Sequence, residues 1–214
     1  KGTQSKFLED RFALRQLSTG DLVRAEIAKG SDLAQKIQEI VARGDLPSDE
    51  IILSLLKDAM ADCSSGYIFD GFPRTVHQAE ELLSMMASCK STIDAVIVID
   101  VPAEILVKRI VNRYTCAKCG AIYNETFNPT KVAGVCDRCG GTEMLRRSDD
   151  TIEAVTNRIA TYDRMTKPII SFFEGKISIF HVKGDQPFET VNNEVSLIVE
   201  QCQEKLTNNK CMNS

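Results

Sequence analysis

The sequence predicts an α/β fold in which a mainly parallel sheet is flanked by helices. Three observations predict it. Helical patterns alternate with short apolar runs along most of the 214 residues. Ala95-Val96-Ile97-Val98-Ile99 is a continuous, largely β-branched run, apolar on both faces, as a strand covered by helices on either side requires. Asp70-Gly71-Phe72-Pro73-Arg74 directly follows a second short apolar run, Tyr67-Ile68-Phe69, and open α/β sheets bind ligands at the carboxyl ends of their strands.

The elements follow in order. Gly2 to Phe12 predicts an amphipathic helix with Phe7, Leu8 and Phe12 on one side. Ser18-Thr19-Gly20-Asp21 is a helix-start signal. Helices are predicted over about 21–28, 31–43 and 48–61, punctuated by Gly30 and by Gly44-Asp45-Leu46-Pro47. Tyr67–Phe69 reads as a strand, Glu80–Ala87 as a helix, Ala95–Ile99 as the clearest strand, and Ala103–Val111 as a helix. Residues 114–147 break all periodicity. A long helix from Thr151 to about Phe173, interrupted near Pro168, precedes a strand at Ser178–Val182 and a helix at Glu189–Leu206. The polar tail from Thr207 to Ser214 is expected to fray. A chain that opens on Lys1, already inside a helical pattern, is expected to lack its natural N-terminus.

Composition narrows the function classes. Apolar residues make up 43 % and charged residues 26 %, ordinary values for a globular protein. No apolar run approaches the roughly 18 residues needed to span a bilayer, so no membrane partner is expected. Lys1-Gly2-Thr3-Gln4 lacks the apolar core of a signal peptide. A net charge of −4 argues against a general nucleic-acid binder, although local basic clusters suit one small anionic ligand. Of eight cysteines, four form two C-x-x-C pairs, while Cys63, Cys89, Cys202 and Cys211 are scattered. That is not the pattern of a disulfide-stapled secreted domain, and it predicts a reducing, cytoplasmic setting.

Four constellations carry chemistry. Lys1-Gly2-Thr3 fits the end of a phosphate loop, in which a lysine reaches the β/γ-phosphates, and equally fits a plain helix start. In Asp70–Arg74, the carboxylate suits a metal–phosphate complex and the arginine fork suits phosphate oxygens; a strand-to-helix turn uses the same residue types. Arg24, Arg74, Arg109, Arg113, Arg147 and Arg158 could supply the positioned cations that phosphoryl transfer requires, or be solvated surface residues. Arg109 and Arg113, four apart, are expected on one helix face. His77 and His181 show no catalytic partner in the sequence. Cys116 and Cys119, then 16 residues, then Cys136 and Cys139 match a four-cysteine zinc site, with Gly120 and Gly140-Gly141 permitting tight turns around the sulfurs. Such a site is coordinatively closed and therefore structural. The spacing leaves Zn²⁺ and another soft-site ion such as iron both open.

Together these residues resemble the adenylate kinase family over essentially the whole chain. Lys1-Gly2-Thr3-Gln4 is similar to the end of its phosphate loop, and Leu17-Ser18-Thr19-Gly20-Asp21 with Arg24 to the opening of its AMP site. Phe69–Arg74 with Gln78 resembles its most specific signature; Phe127-Asn128-Pro129 and Arg147-Ser148-Asp149-Asp150 resemble its lid, in the long zinc-bearing form. The resemblance implies a P-loop-type core over 1–17, 48–111 and 150–214, with a five-stranded parallel sheet of order 2-3-1-4-5 whose first strand is absent here. It implies an AMP-binding lobe over 18–47 and an ATP lid over 112–149. Reversible, Mg²⁺-dependent transfer between ATP and AMP, giving ADP, is the implied reaction, without a covalent intermediate and with lid closure excluding water.

Site residues follow from the same resemblance. Thr19, Arg24, Asp45, Leu46, Pro47, Gly71, Phe72, Pro73, Arg74 and Gln78 match AMP-site positions. Lys1, Gly2 and Thr3 match the ATP-phosphate site, and Arg113, Ile122 and Tyr123 the lid side of ATP. Arg147 and Arg158 match arginines that clamp the transferring group, and Asp70 the carboxylate that holds Mg²⁺ through waters. Where the family meets the ATP adenine, this chain reads Asp185-Gln186-Pro187, so Gln186 is expected as a backbone contact. A monomer is implied. The alternatives are another nucleoside monophosphate kinase, for UMP or CMP, against which the cysteine insertion argues; a zinc-ribbon binding module without catalysis; and an inactive remnant.

Overall fold

A computed structural model describes residues 1–60 and 66–212 of the chain, with side chains as far as residue 205. They divide into two units. The first holds Lys1–Lys29, Ser48–Val101 and Tyr162–Ser214, and the second Gly30–Pro47 and Pro102–Thr161. Cys63 and the side chain of Cys211 lie outside the described residues.

The first unit alternates helix and strand: α1 (Gly2–Phe12), β1 (Arg15–Ser18), α2 (Thr19–Ile27), α4 (Asp49–Ala59), β2 (Tyr67–Asp70), α5 (Val76–Ser88) and β3 (Ala95–Asp100). After a π-helical turn at Tyr162–Thr166 come α8 (Pro168–Phe173), β7 (Ser178–Lys183) and α9 (Phe188–Met212). Strands pair in parallel, as predicted, β1 with β2 and β3 with β7. Hydrogen bonds do not join the two pairs, so the described strands do not form one continuous sheet. The run at 95–99 behaves as its two apolar faces require. Ala95 and Ile97 pack with Leu8, Val182, Val191 and Val195, while Val96 packs with Ala79, Ile169 and Phe173. Helices α1 and α9 thus cover one face of this pair, and α5 and α8 the other.

The predicted interruption near Pro168 is real: the π-helical turn ends there and Pro168 takes the first position of α8, where its missing N–H costs no hydrogen bond. Strand β1 was not foreseen. Only Leu17 of Arg15-Gln16-Leu17-Ser18 is buried, so the segment carries no apolar run to read.

The second unit contains α3 (Asp32–Ala42), α6 (Ala103–Val111), α7 (Ile152–Thr161) and a three-stranded antiparallel sheet, β5-β4-β6, built from β4 (Arg113–Cys116), β5 (Ile122–Asn124) and β6 (Met144–Leu145). The expected shared helix face of Arg109 and Arg113 does not exist. The helix ends at Val111, Asn112 caps it, and Arg113 opens β4. Gly44, at φ 81°, turns the 44–47 segment against α7, and Asn157 of α7 donates to the carbonyl of Arg43 and to Asp45 Oδ1, both at 2.8 Å. No helix among the described residues is long and apolar enough to cross a membrane.

Candidate active site

In the first unit the register pairs Ser18 with Asp70, so Thr19 and Gly71 leave the carboxyl ends of adjacent parallel strands together. Asp70 is buried, 3 % exposed. It accepts from the Lys1 ammonium and, at 2.7 Å, from Nε2 of Gln16 on β1. A buried carboxylate needs such partners, since burial without them costs several kcal/mol, on the order of the effective penalty per ion. The Lys1 side chain is 58 % exposed. Desolvation around its ammonium nevertheless lowers its pKa from the ordinary lysine value, against the raising pull of Asp70 and with a smaller lowering from Arg74.

Gly71 stands at φ 76°, in the left-handed region that favours glycine. Its carbonyl accepts from Thr19 Oγ1 at 3.0 Å and from Arg74 Nε at 2.7 Å. A Cβ at this position would lie 3.0 Å from Lys1 Nζ, 3.1 Å from Arg74 Nη2 and 3.4 Å from Thr19 Oγ1. Lys1, Thr19, Asp70 and Arg74 therefore converge on one glycine, with Gly2 beside Asp70. The backbone of Arg74 is held at both ends: its N–H donates to Gln78 Oε1 at 2.8 Å, and its carbonyl accepts from Thr166 Oγ1 at 2.9 Å. Phe72 is buried and joined to Pro73 by a cis peptide bond. Arg24 lies along α2, pairing with Asp21 at 2.5 Å. Thr3 is exposed on α1, and Gln186 is exposed beyond β7.

In the second unit two adjacent buried carboxylates gather the arginines. Arg113 grips Asp150 with Nε at 2.9 Å and Nη2 at 2.5 Å, while Arg158 pairs with Asp149 and stands 4.0 Å from Asp150. Arg147 is half-buried, and its carbonyl accepts from the Asp150 N–H at 3.2 Å. Arg109 instead stacks over Phe127, 5.2 Å from the ring centroid. Asp45, Leu46 and Pro47 follow the Gly44 turn, with Pro47 buried.

The four cysteines come together as the spacing predicts. Their sulfurs all lie within 4.8 Å of one another. Two matched turns present them: the Gly120 N–H donates to the Cys116 carbonyl and the Gly140 N–H to the Cys136 carbonyl, both at 2.9 Å. Gly120 and Gly140 have φ 71° and 69°, so both predicted glycine positions are needed. Four thiolates about 2.3 Å from one ion put neighbouring sulfurs about 3.8 Å apart. The pairs Cys116–Cys139 at 3.6 Å and Cys119–Cys136 at 3.5 Å are close to that figure. The donor set is all soft sulfur, the chemistry of zinc or iron rather than of magnesium.

Tyr123 does not present its ring to solvent. It is buried against Tyr114, its hydroxyl 3.3 Å from Cys136 Sγ and accepting from the Asp137 N–H at 2.9 Å. That hydroxyl lowers the Cys136 thiol to about 6, aided by backbone N–H groups against the effect of burial. Burial and Cys136 raise Tyr123 to about 12. The Gly141 N–H lowers the Cys139 thiol, but the neighbouring sulfurs outweigh it and raise the group to about 12.

Gln16, Asp49, Asp149 and Asp150 were not singled out individually in the sequence. Each acts through a side chain distant along the chain or already claimed by a motif. Cys89 and Cys202 are half-buried and take part in no disulfide.

Comparison with known proteins identifies the family. The family model for adenylate kinase matches residues 1–178. The adenylate kinase of Paramagnetospirillum magneticum is 45 % identical over 202 residues, covering 94 % of this chain and 93 % of that protein. Those of Archaeoglobus fulgidus and Clostridium novyi are 41 % and 39 % identical, over 94 % and 91 % of this chain and 93 % of each relative. With a family match over residues 1–178 and relatives this similar across nearly their whole length, the chain belongs to the adenylate kinase family.

Proposed function

We propose that this chain catalyses the reversible transfer of a phosphoryl group from ATP to AMP, by direct in-line displacement between the two bound nucleotides. The observation that carries the reading is the convergence of Lys1, Thr19, Asp70 and Arg74 on Gly71 at the carboxyl ends of β1 and β2. Phosphoryl transfer leaves the protein little covalent chemistry. It supplies position and fixed positive charge where the equatorial oxygens gain negative charge.

Lys1, with Gly2 and Thr3, takes the ATP phosphates. Arg74 takes the AMP phosphate, its Nε held on the Gly71 carbonyl so that the far edge of the fork faces the ligand. Arg113, Arg147 and Arg158 supply charge to the transferring group, and Asp149 and Asp150 hold Arg158 and Arg113 in place. Thr19, Arg24, Asp45, Leu46, Pro47, Phe72, Pro73 and Gln78 complete the AMP site; Ile122 and Gln186, with the backbone of Tyr123, whose side chain is buried, complete the ATP site. Mg²⁺ bound with ATP supplies charge neutralisation between the phosphates, and Asp70 is the residue that would hold it, through waters. Because Asp70 is engaged by Lys1 and Gln16, its carboxylate is already oriented.

The core over 1–17, 48–111 and 150–214, the AMP lobe at 18–47 and the lid at 112–149 are part of the same reading. So is the strand order 2-3-1-4-5, of which β1–β2 and β3–β7 would be the flanking pairs. In the lid the four cysteines hold one Zn²⁺ as a closed structural site. Structural zinc is worth about 10–16 kcal/mol in small peptides, and here it supplements a small core of Tyr123, Tyr114, Ala121, Met144 and the cysteines themselves. No disulfide joins the described cysteines, which supports a cytoplasmic setting. The protein acts as a monomer on ATP, AMP and ADP.

An acceptor panel tests this. With ATP and Mg²⁺, AMP should be phosphorylated far faster than UMP or CMP. Preference for UMP or CMP would favour the pyrimidine alternative. No acceptor at all, from folded, metal-bound protein, would favour a binding module.

A further inference from the structure

Asp49 opens α4, yet its carboxylate faces the start of another helix. Oδ2 accepts from the Thr75 hydroxyl at 2.9 Å and meets Nδ1 of His77 at 3.1 Å. Oδ1 accepts from Nε2 of Gln78 at 2.7 Å. Thr75 is the cap of α5, its hydroxyl accepting from the Gln78 N–H at 3.1 Å, and the Gly71–Arg74 loop runs directly into it. One carboxylate thus lies at the positive ends of two helices, where negative charge is favoured.

The consequence falls on Gln78. It is 2 % exposed, so its amide has no water to turn towards. A carboxylate only accepts, and a backbone N–H only donates. With Asp49 on one side and the Arg74 N–H on the other, the amide has one permitted sense: nitrogen towards Asp49, oxygen towards Arg74. This follows from the partners' chemistry and does not depend on telling oxygen from nitrogen by position. One N–H and one oxygen lone pair remain on the amide, in a fixed order. A 6-amino purine presents a ring acceptor beside an exocyclic donor. A 6-oxo purine presents the same two positions with the roles exchanged.

We propose that Asp49 is a positioning and specificity-determining residue: by fixing the sense of the Gln78 amide, it sets the monophosphate site for a 6-amino purine over a 6-oxo purine. This rests on the placement of Gln78 in the AMP site proposed above, with its amide as the group that meets the base. Asp49 is assigned no contact with either nucleotide; it also holds Thr75 and His77, and its effect on the base runs through Gln78.

The test is steady-state kinetics with AMP and with IMP as acceptors, together with the KM for ATP, on wild type, Asp49→Ala, Asp49→Asn and Gln78→Ala. Asp49→Ala should raise the KM for AMP and lower the AMP-over-IMP ratio of kcat/KM, each by about tenfold, the scale of one charge-assisted hydrogen bond. The KM for ATP should stay unchanged. Asp49→Asn keeps an acceptor for Nε2 and should restore most of the preference. Should Asp49→Ala fold poorly, Asp49→Ser retains a helix-start residue but falls short of Gln78, and carries the same expectation. If Gln78→Ala loses the preference while Asp49→Ala and Asp49→Ser keep it, the proposal is overturned and the reading of Gln78 stands. If Gln78→Ala keeps the preference, that reading fails and the proposal with it. Equal losses for ATP and AMP, with the AMP-over-IMP ratio intact, would mark Asp49 as merely structural and also overturn it.

Discussion

Arg113 and Asp150 form a two-pronged pair, Nε to Oδ2 at 2.9 Å and Nη2 to Oδ1 at 2.5 Å, with the Asp150 side chain only 3 % exposed. The planar fork makes both bonds at once, which an ammonium cannot do. Arg113→Lys should therefore keep the charge and lose the orientation. We expect kcat to fall by about 10²-fold, the usual cost of one well-placed transition-state donor. Steady-state kinetics checks this; near-wild-type kcat would mean that Arg113 is not part of the phosphate machinery.

Gly71→Ala tests the other cluster. The new methyl would stand 3.0 Å from Lys1 Nζ and 3.1 Å from Arg74 Nη2, on a backbone at φ 76°. A left-handed non-glycine costs about 1–2 kcal/mol, and the two cations must move apart. The Kd for AMP should rise by at least about tenfold, since 1.4 kcal/mol corresponds to that factor. Titration calorimetry with AMP on the folded variant measures it.

The legibility of this molecule was uneven for physical reasons. Helix α6 was read to the residue, Ala103–Val111, because an apolar stripe starts just after Pro102 and runs unbroken. Strand β3 was plain because both of its faces are apolar and both are covered. Strand β1 was invisible because Arg15, Gln16 and Ser18 are polar, and its role is to deliver Gln16 to Asp70 rather than to fill a core. Arg113 was placed on a helix because spacing alone cannot show that Asn112 had already ended it. The cysteine cluster was legible because ligand spacing is set by the ion's geometry, which composition does not disturb. Asp49 was not, because hydrogen bonds between segments more than twenty residues apart leave no periodic trace.

Metal removal tests the four-cysteine cluster. The protein as purified should hold one metal ion per chain by elemental analysis. Cys136→Ser removes a ligand and the thiol that Tyr123 supports, so bound metal should fall away. The melting temperature should drop, and stability should fall by several kcal/mol, at most the ~10–16 kcal/mol of structural zinc in peptides. Full stability without bound metal would show that the sulfurs are packed for some other reason.

Gly44→Ala examines packing in the second unit. A Cβ there would lie 2.3 Å from the Ala154 carbonyl oxygen, at φ 81°. Backbone meets backbone, so no side chain can yield. The variant should lose about 3 kcal/mol or more, combining the left-handed penalty with a displaced turn. Chemical denaturation measures the loss, and a change under about 0.5 kcal/mol, the range of ordinary surface substitutions, would contradict the geometry.

The most direct measurement is a coupled assay of ADP formed from ATP and AMP with Mg²⁺, run on the purified protein and on Arg74→Ala. The account predicts two ADP for each AMP consumed, no ADP when AMP is omitted, and activity lowered by about 10²-fold or more in the variant. ADP formed without AMP, or none formed by folded, metal-bound protein, would contradict it.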